Sequence, residues 1–140
     1  MASLGAQVRT WLTGVLKAGT APIRGEVVLF DTTSNSNEMI ICGTADSPKF
    51  AGIVYDPPAV VNNTAVGQTM RVVRSGICLC KVSATAVTQC DMVTTTNAGR
   101  ILPVSAAVTS THLYIGMALE SGAAADLIAV DVNPIVIKFT

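Results

Sequence analysis

Residues Leu113 to Val132, LYIGMALESGAAADLIAVDV, have the clearest strand pattern in the chain. Two apolar runs in this stretch flank a turn of small and acidic residues, Ser121 to Asp126. In the second run, alternation places Ile128, Val130 and Val132 on one face, which is typical of a half-buried strand. The stretch therefore predicts a β-hairpin.

An earlier part of the chain partly repeats this pattern. The segment FAGIVY, Phe50 to Tyr55, aligns with YIGMAL, Tyr114 to Leu119, and each has glycine at its third place. Upstream, Gly25 to Phe30 aligns with Cys90 to Thr95. The offset is 64 residues for the glycine strand and 65 for the strand before it. Since a glycine within a strand usually marks a bend or a close backbone approach, we interpret the match as a weak internal duplication. It predicts an all-β fold, a small barrel-like or sandwich domain built from two β-meanders.

The composition indicates a domain whose surface is partly covered. The chain has 140 residues, enough for one domain with a buried core. Half of the residues are hydrophobic and 13% are charged, against about 25% in typical soluble domains. Because free domains usually keep charges for solubility, we expect oligomerisation or docking on a larger assembly. The alternative is a compact β-domain made polar by its Thr, Ser and Asn.

Charge and hydropathy argue against two classes of partner. Nine basic and nine acidic residues cancel, so the positive excess of a nucleic-acid-binding domain is missing. No stretch approaches the roughly 20 apolar residues that span a bilayer. Gln7, Arg9 and Thr10 interrupt the apolar core that a signal peptide needs. We therefore expect no direct nucleic-acid partner, no membrane and no export.

Residues 1–24 differ from the rest and are interpreted as an N-terminal arm ahead of a single β-domain, residues 25–140. Five apolar residues of the arm have the spacing of one helical face and are the candidates for contact with a partner: Val8, Trp11, Leu12, Val15 and Leu16. Trp11 is the expected anchor. The arm is predicted either to become ordered on a partner, in part as a short helix weakened by glycines, or to fold back on its own domain.

Two features of the β-region concern strand ends. The segment from Met70 to Val82 predicts two strands with a kink at Ser75 and Gly76. Asn133 and Pro134 interrupt the last apolar pattern, because proline cannot donate to a strand ladder. Residues 132–140 are therefore expected to form a separate extended strand or tail.

Four cysteines and one histidine are the residues most able to carry chemistry: Cys42, Cys78, Cys80, Cys90 and His112. A Cys-x-Cys pair on a strand, with no second pair, does not match a structural zinc site. Nothing in the sequence matches a cysteine-hydrolase motif or a glycine-rich phosphate loop. We expect free, packed thiols, no metal, no cofactor and no catalysis. A small β-barrel carrier or binding module and a Cys/His enzyme stay open as alternatives.

Several short motifs, taken in their order over roughly residues 25–132, resemble the small head decoration, or capsid cement, proteins of tailed bacteriophages. The motifs are Gly52-Ile53-Val54, Arg71-Val72-Val73-Arg74-Ser75-Gly76, Cys90-Asp91-Met92-Val93, Ala98-Gly99, Ile115 to Glu120 and Ile128 to Val132. The departures from the pattern are Cys90, where relatives often have glycine, the lead-in with Trp11, and the tail after Pro134.

The resemblance implies a structural virion protein without enzymatic activity. Such proteins are all-β and usually trimeric, and they bind the outer surface of the expanded capsid at three-fold and quasi-three-fold positions. There they clamp neighbouring subunits against the pressure of packaged DNA. The expected partners are therefore the major capsid protein and further copies of this chain, in a virion assembled in the host cytoplasm.

Overall fold

The computed structural model describes residues 9–33, 38–43, 49–96, 98–104 and 111–138. In these segments the chain forms nine β-strands and no helix. The strands are β1 (Thr10–Ala18), β2 (Val27–Phe30), β3 (Glu38–Ile41), β4 (Phe50–Asp56), β5 (Thr69–Lys81), β6 (Met92–Thr95), β7 (Ile101–Pro103), β8 (Thr111–Ala118) and β9 (Leu127–Lys138). The all-β prediction is confirmed.

Five strands close into a ring in the order β1, β3, β2, β4 and β5, with β5 paired back to β1. The β1–β3 pair is parallel and the other pairs are antiparallel. One cluster of buried side chains draws on all five strands: Leu16, Val28, Met39, Ala51, Val54, Ala65, Met70 and Val72. Removing this apolar surface from water is the main favourable term that holds the ring closed.

The other four strands continue from β5 in the order β9, β8, β6 and β7, all antiparallel. The second half of β5 pairs with β9, and Val82, just beyond β5, forms a parallel bridge to Ile101 of β7. The N–H of Ser83 also donates to the carbonyl of Ile101 at 2.9 Å. The second unit is therefore also nearly closed into a ring, and in the described segments a single bridge joins its two ends.

The two units have the same topology. The pairs β2–β3, β2–β4 and β4–β5 of the first unit correspond to β6–β7, β6–β8 and β8–β9 of the second. The registers also agree, because Val28 lies opposite Gly52 and Val93 lies opposite Gly116. The structure thus confirms the internal duplication. Strand β5 is shared, since it ends the first unit and begins the second.

Both strand glycines lie where another backbone approaches closely. A Cβ at Gly52 would come within 2.6 Å of Val72 Cγ2 and 2.9 Å of the Val73 carbonyl oxygen. A Cβ at Gly116 would overlap the carbonyl oxygen of Asp131. Any larger residue would therefore push β4 away from β5, or β8 away from β9. Of the two interpretations of the strand glycines, a bend or a close backbone approach, the structure shows the close approach.

The predicted hairpin is formed by β8 and β9. Ile128, Val130 and Val132 are all buried in the larger core, while Leu127 is exposed. The alternation in the second apolar run thus corresponds to a buried face and a more exposed face of β9.

The short helix considered for the N-terminal arm is wrong, because residues 10–18 form strand β1. Leu12, Gly14 and Leu16 alternate along β1, and burial increases from half-buried Leu12 to fully buried Leu16. Gly14 has no side chain, so the period-two pattern lacks its central apolar residue in the sequence. Inward-facing Leu12 and Leu16, taken together with outward-facing Trp11 and Val15, have the spacing of one helical face. This part of the predicted arm belongs to the first ring.

Two predicted strand interruptions do not occur. Strand β5 is continuous through Gly76, so the predicted break does not occur there. Gly76 has a φ of 104°, which glycine tolerates because it has no Cβ. Strand β9 runs through Asn133 and Pro134 and pairs with β8 as far as Lys138. The register shifts at this point, so that two residues of β9 oppose one of β8, and such a bulge accommodates proline. The expected extended strand after residue 132 is therefore the continuation of β9.

Candidate functional site

The side chains of Trp11 and Tyr55 meet on the surface of the first ring. Trp11 lies on β1 and Tyr55 on β4, the two strands that flank the first half of β5. Their rings make an edge-to-face contact with centroids 4.9 Å apart and an interplanar angle of 84°. Such pairs favour this geometry because the positive edge of one ring faces the negative face of the other. Trp11 keeps 37% of its surface exposed.

Three arginines surround this aromatic pair. The guanidinium carbon of Arg24 lies 4.4 Å from the centroid of Tyr55, and that of Arg71 lies 4.3 Å from the centroid of Trp11. Arg9 is within 6 Å of both rings. Each contact is a cation–π interaction, worth about 0.5–1 kcal/mol at an exposed site. We call these five residues, Arg9, Trp11, Arg24, Tyr55 and Arg71, the Arg–aromatic cluster.

The cluster concentrates positive charge in a chain without net charge. Arg71 Nη2 pairs with the carboxylate of Asp56 at 2.7 Å, and both side chains are about half exposed. Solvent screening limits such a pair to about 0–1 kcal/mol of stability. Arg9 donates from Nε to the carbonyl of Ile77 at 2.8 Å. Three cations and one carboxylate leave a local excess that attracts anionic groups.

The residue types of the cluster also suit protein recognition. Trp, Tyr and Arg are the residues most often found at the centre of protein interfaces. The fold defines where these residues lie. Arg9 donates a hydrogen bond to the carbonyl of Ile77, at the point where β5 passes from the first ring to the second unit. The cluster therefore lies at the junction of the two units.

Of the predicted contact residues that the structure describes, only Trp11 belongs to the Arg–aromatic cluster. Trp11 is exposed, whereas Leu16 is fully buried inside its own ring. Leu12 packs against the buried side chains inside the first ring, and Val15 is half-buried. Val8 lies outside the described residues.

The other members of the cluster were missed because they are far apart in the chain. Arg9 and Arg71 are separated by 62 residues, and the sequence shows only Arg71 and Arg74 as a close basic pair. Arg74 instead contacts a different ring, that of Phe30. Only the closing of β1 onto β5 brings the cluster together, so no local sequence pattern indicates it.

Among the described residues, no cysteine and histidine side chains form a group. None of the four cysteines, all within the described residues, forms a disulfide, and Cys42, Cys78 and Cys80 are buried. Burial raises the pKa of the Cys78 thiol and raises that of Cys80 further, which keeps both protonated and inert. Cys90 is exposed, contrary to the expectation of a packed thiol, because it lies in the turn before β6. The backbone of His112 belongs to β8, and its side chain is outside the described part.

Two further features are absent from the described segments. These segments contain no group of three His, Cys, Asp or Glu side chains placed to hold a metal ion. They also contain no helix of the length and apolarity that crossing a bilayer requires.

A family model of phage cement proteins matches residues 36–134, which is more than half of the chain. The chain belongs to the phage cement protein family, and the resemblance seen in its sequence is confirmed. The matched range includes Tyr55 and Arg71 but begins after Arg9, Trp11 and Arg24. The greater part of the Arg–aromatic cluster is thus outside what the family model matches.

A solved structure shares the fold. It is the crystal structure of the head fiber gp8.5 N base in bacteriophage phi29, with a TM-score of 0.62 and 12% sequence identity. The match covers 90% of this chain and 95% of that one. Both chains therefore share one architecture over almost their whole length. No curated protein matches the sequence.

Proposed function

We propose that this chain is a structural virion protein that binds the outer surface of the expanded phage capsid. There it cements neighbouring major capsid subunits against the internal pressure of packaged DNA. The observation that carries the proposal is the match of the phage cement family over residues 36–134. The fold shared with a component of a phage head fiber supports it. Its place of assembly would be the host cytoplasm.

The proposed mechanism is thermodynamic linkage. A ligand that binds only the expanded shell stabilises that shell by its own binding free energy. Because one shell has many equivalent sites, small contributions per copy sum to a large one. The mechanism needs a binding surface and no catalytic group, and we accordingly propose that the chain is not an enzyme.

We further propose that the chain acts on the capsid as a homotrimer. The low charged fraction of 13% supports this, because a covered surface needs fewer charges for solubility. Exposed apolar side chains on the second unit also support it. Met92 and Met117 lie opposite each other on β6 and β8 and are 42% and 38% exposed.

Among the four predicted capsid-contact residues that the structure describes, Trp11 is the one whose position suits that role. Its ring is exposed and surrounded by charged groups that a partner can bind. Buried Leu16 is needed inside its own ring. We therefore propose Trp11 as a capsid contact and assign the inward-facing residues of β1 to stability.

Co-sedimentation with purified capsids tests the proposal. The full chain should pellet with expanded capsids at saturable stoichiometry and should not pellet with unexpanded ones. Filled heads that carry it should release less DNA on osmotic shock than bare heads. Equal binding to both capsid forms, or no binding to either, would contradict the cement function.

A further inference from the structure

We propose that the Arg–aromatic cluster binds a carboxylate-rich segment of the capsid subunit on which the chain docks. This inference rests on the function proposed above and names the surface and the partner chemistry. The observations that carry it are the charge of the cluster, the geometry of its guanidinium groups and the distribution of the remaining cations.

The cluster has unmet capacity to bind anions. Its three guanidinium groups share two aromatic rings, and Asp56 is the carboxylate that pairs with one of them, Arg71. Neither Arg9 nor Arg24 forms an ion pair within the described segments. Mutual repulsion of the cations falls when another carboxylate arrives, so binding of an acidic group is favoured.

The geometry suits carboxylates in particular. The guanidinium fork of arginine presents parallel N–H donors that match the two oxygens of a carboxylate. Arg71 already holds Asp56 in this surface at 2.7 Å, which shows that the site accepts such a group beside the Trp11 ring. Contacts with the rings restrict the arginine side chains before binding, and this lowers the entropy lost when the partner arrives.

The rest of the surface favours an acidic protein segment over a nucleic acid. A phosphate backbone is bound by a track of cations that neutralises several phosphates. Here Lys17 is paired with Asp31 and Glu38, and Arg100 lies 3.8 Å from Glu26. The chain as a whole is neutral. The three arginines of the cluster are grouped around one aromatic pair, a site the size of a short acidic segment.

A charge-neutralising variant tests the inference, with the full chain and expanded capsids. The double substitution Arg24→Gln and Arg71→Gln should weaken binding at least tenfold at low salt, and the difference should shrink as salt rises. Lys49→Gln is the matched control. It removes one exposed cation just before β4, at the opposite end of that strand from Tyr55, and should change the affinity less than twofold. Equal melting temperatures confirm that the variants fold.

A cross-link identifies the partner group. Arg24→Lys keeps the charge and introduces a primary amine, which arginine lacks. A water-soluble carbodiimide activates a carboxylate, and the amine displaces the urea and forms an amide bond. Digestion and mass spectrometry should then show residue 24 joined to an Asp or Glu of the major capsid protein. The wild-type chain, treated in the same way, should show no cross-link at this position.

The outcomes separate the two proposals. If wild type binds expanded capsids and the double variant binds equally well, the cluster is not the docking surface, while the cement function stands. If wild type binds no capsid, both proposals fail. If a short DNA duplex binds wild type, competes with capsids and is lost in the double variant, the cluster recognises nucleic acid and the inference is overturned.

Discussion

Cys90 has a backbone conformation that favours glycine. Its φ is 74°, in the left-handed region where a Cβ crowds the backbone. The residue 65 positions earlier is Gly25, with φ 91°. The two residues precede the equivalent strands β2 and β6. A Cβ at Gly25 would lie 2.5 Å from Leu127 Cδ2 and 3.0 Å from the backbone nitrogen of Lys81. Cys90, in contrast, is exposed and has room for its side chain.

This pair of positions gives a prediction of opposite effects. Cys90→Gly removes left-handed strain of about 1–2 kcal/mol but adds freedom to the unfolded chain, worth about 0.4–1 kcal/mol. The free energy of unfolding should therefore stay level or rise by up to about 1.5 kcal/mol. Gly25→Ala should lower it by more than 2 kcal/mol, because strain and steric overlap add. Urea denaturation measures both, and a loss of more than about 1 kcal/mol in Cys90→Gly would refute the strain at this turn.

The carboxylate of Asp31 makes the stability of the folded protein depend on pH in the acidic range. Lys17 Nζ lies 2.6 Å from Asp31 Oδ2, and the N–H and hydroxyl of Thr33 donate to Oδ1 at 3.0 and 2.8 Å. The hydrogen bond from Lys17 first, and then those from Thr33, lower the pKa of Asp31 from 3.8 to about 2. Since the folded pKa is the lower one, the stabilisation is complete above the unfolded pKa and is lost as the pH falls toward 2.

Melting curves between pH 5 and pH 2 test this ion pair, and Asp31→Asn is the control. The wild-type melting temperature should fall more steeply than that of the variant between about pH 4 and pH 2. Other carboxylates titrate in both proteins and cancel in the comparison. Parallel curves would mean that the contact between Lys17 and Asp31 contributes nothing in solution.

Among the elements, β1 is the one whose removal should have the largest effect. It pairs with both β3 and β5, and it contributes Leu16 to the core of the first ring. Deletion of residues 1–18 would leave two unpaired strand edges and lose about 1.5–3 kcal/mol for Leu16 alone. We expect the melting temperature to fall by at least 10 °C. Deletion of residues 1–8, which keeps all of β1, is the control, and the difference between the two deletions isolates the contribution of β1. A folded domain of unchanged stability after the larger deletion would show that β1 is a dispensable arm.

Alternation made most strands predictable, and β1 shows where it fails. In β9 the apolar residues Ile128, Val130 and Val132 all have side chains on the buried face, so the sequence alone indicates the strand. In β1 the middle inward position is Gly14, and the exposed face has Trp11. An interrupted inner pattern with an apolar outer residue matches a helical spacing equally well. The ambiguity is resolved only by the partner strands, which are distant in sequence.

The internal duplication was visible in the sequence, but the role of β5 in both units was not. Glycines at equivalent places indicated two units, because a tight approach of strands allows no side chain there. Nothing local indicates that one strand belongs to both units, since this depends on which strands close each ring. The Arg–aromatic cluster depends on the same closure. It could not be predicted from the chain, although Trp11 could be named as an anchor.

Averaged electron microscopy of expanded capsids saturated with the full chain tests the cement function most directly. We expect added density on the outer surface that bridges neighbouring capsid subunits at three-fold or quasi-three-fold positions. The strand ring should fit this density with Trp11 and the arginines around it facing the shell. Density on the inner surface, isolated copies away from every symmetry axis, or a capsid indistinguishable from the bare one would contradict it.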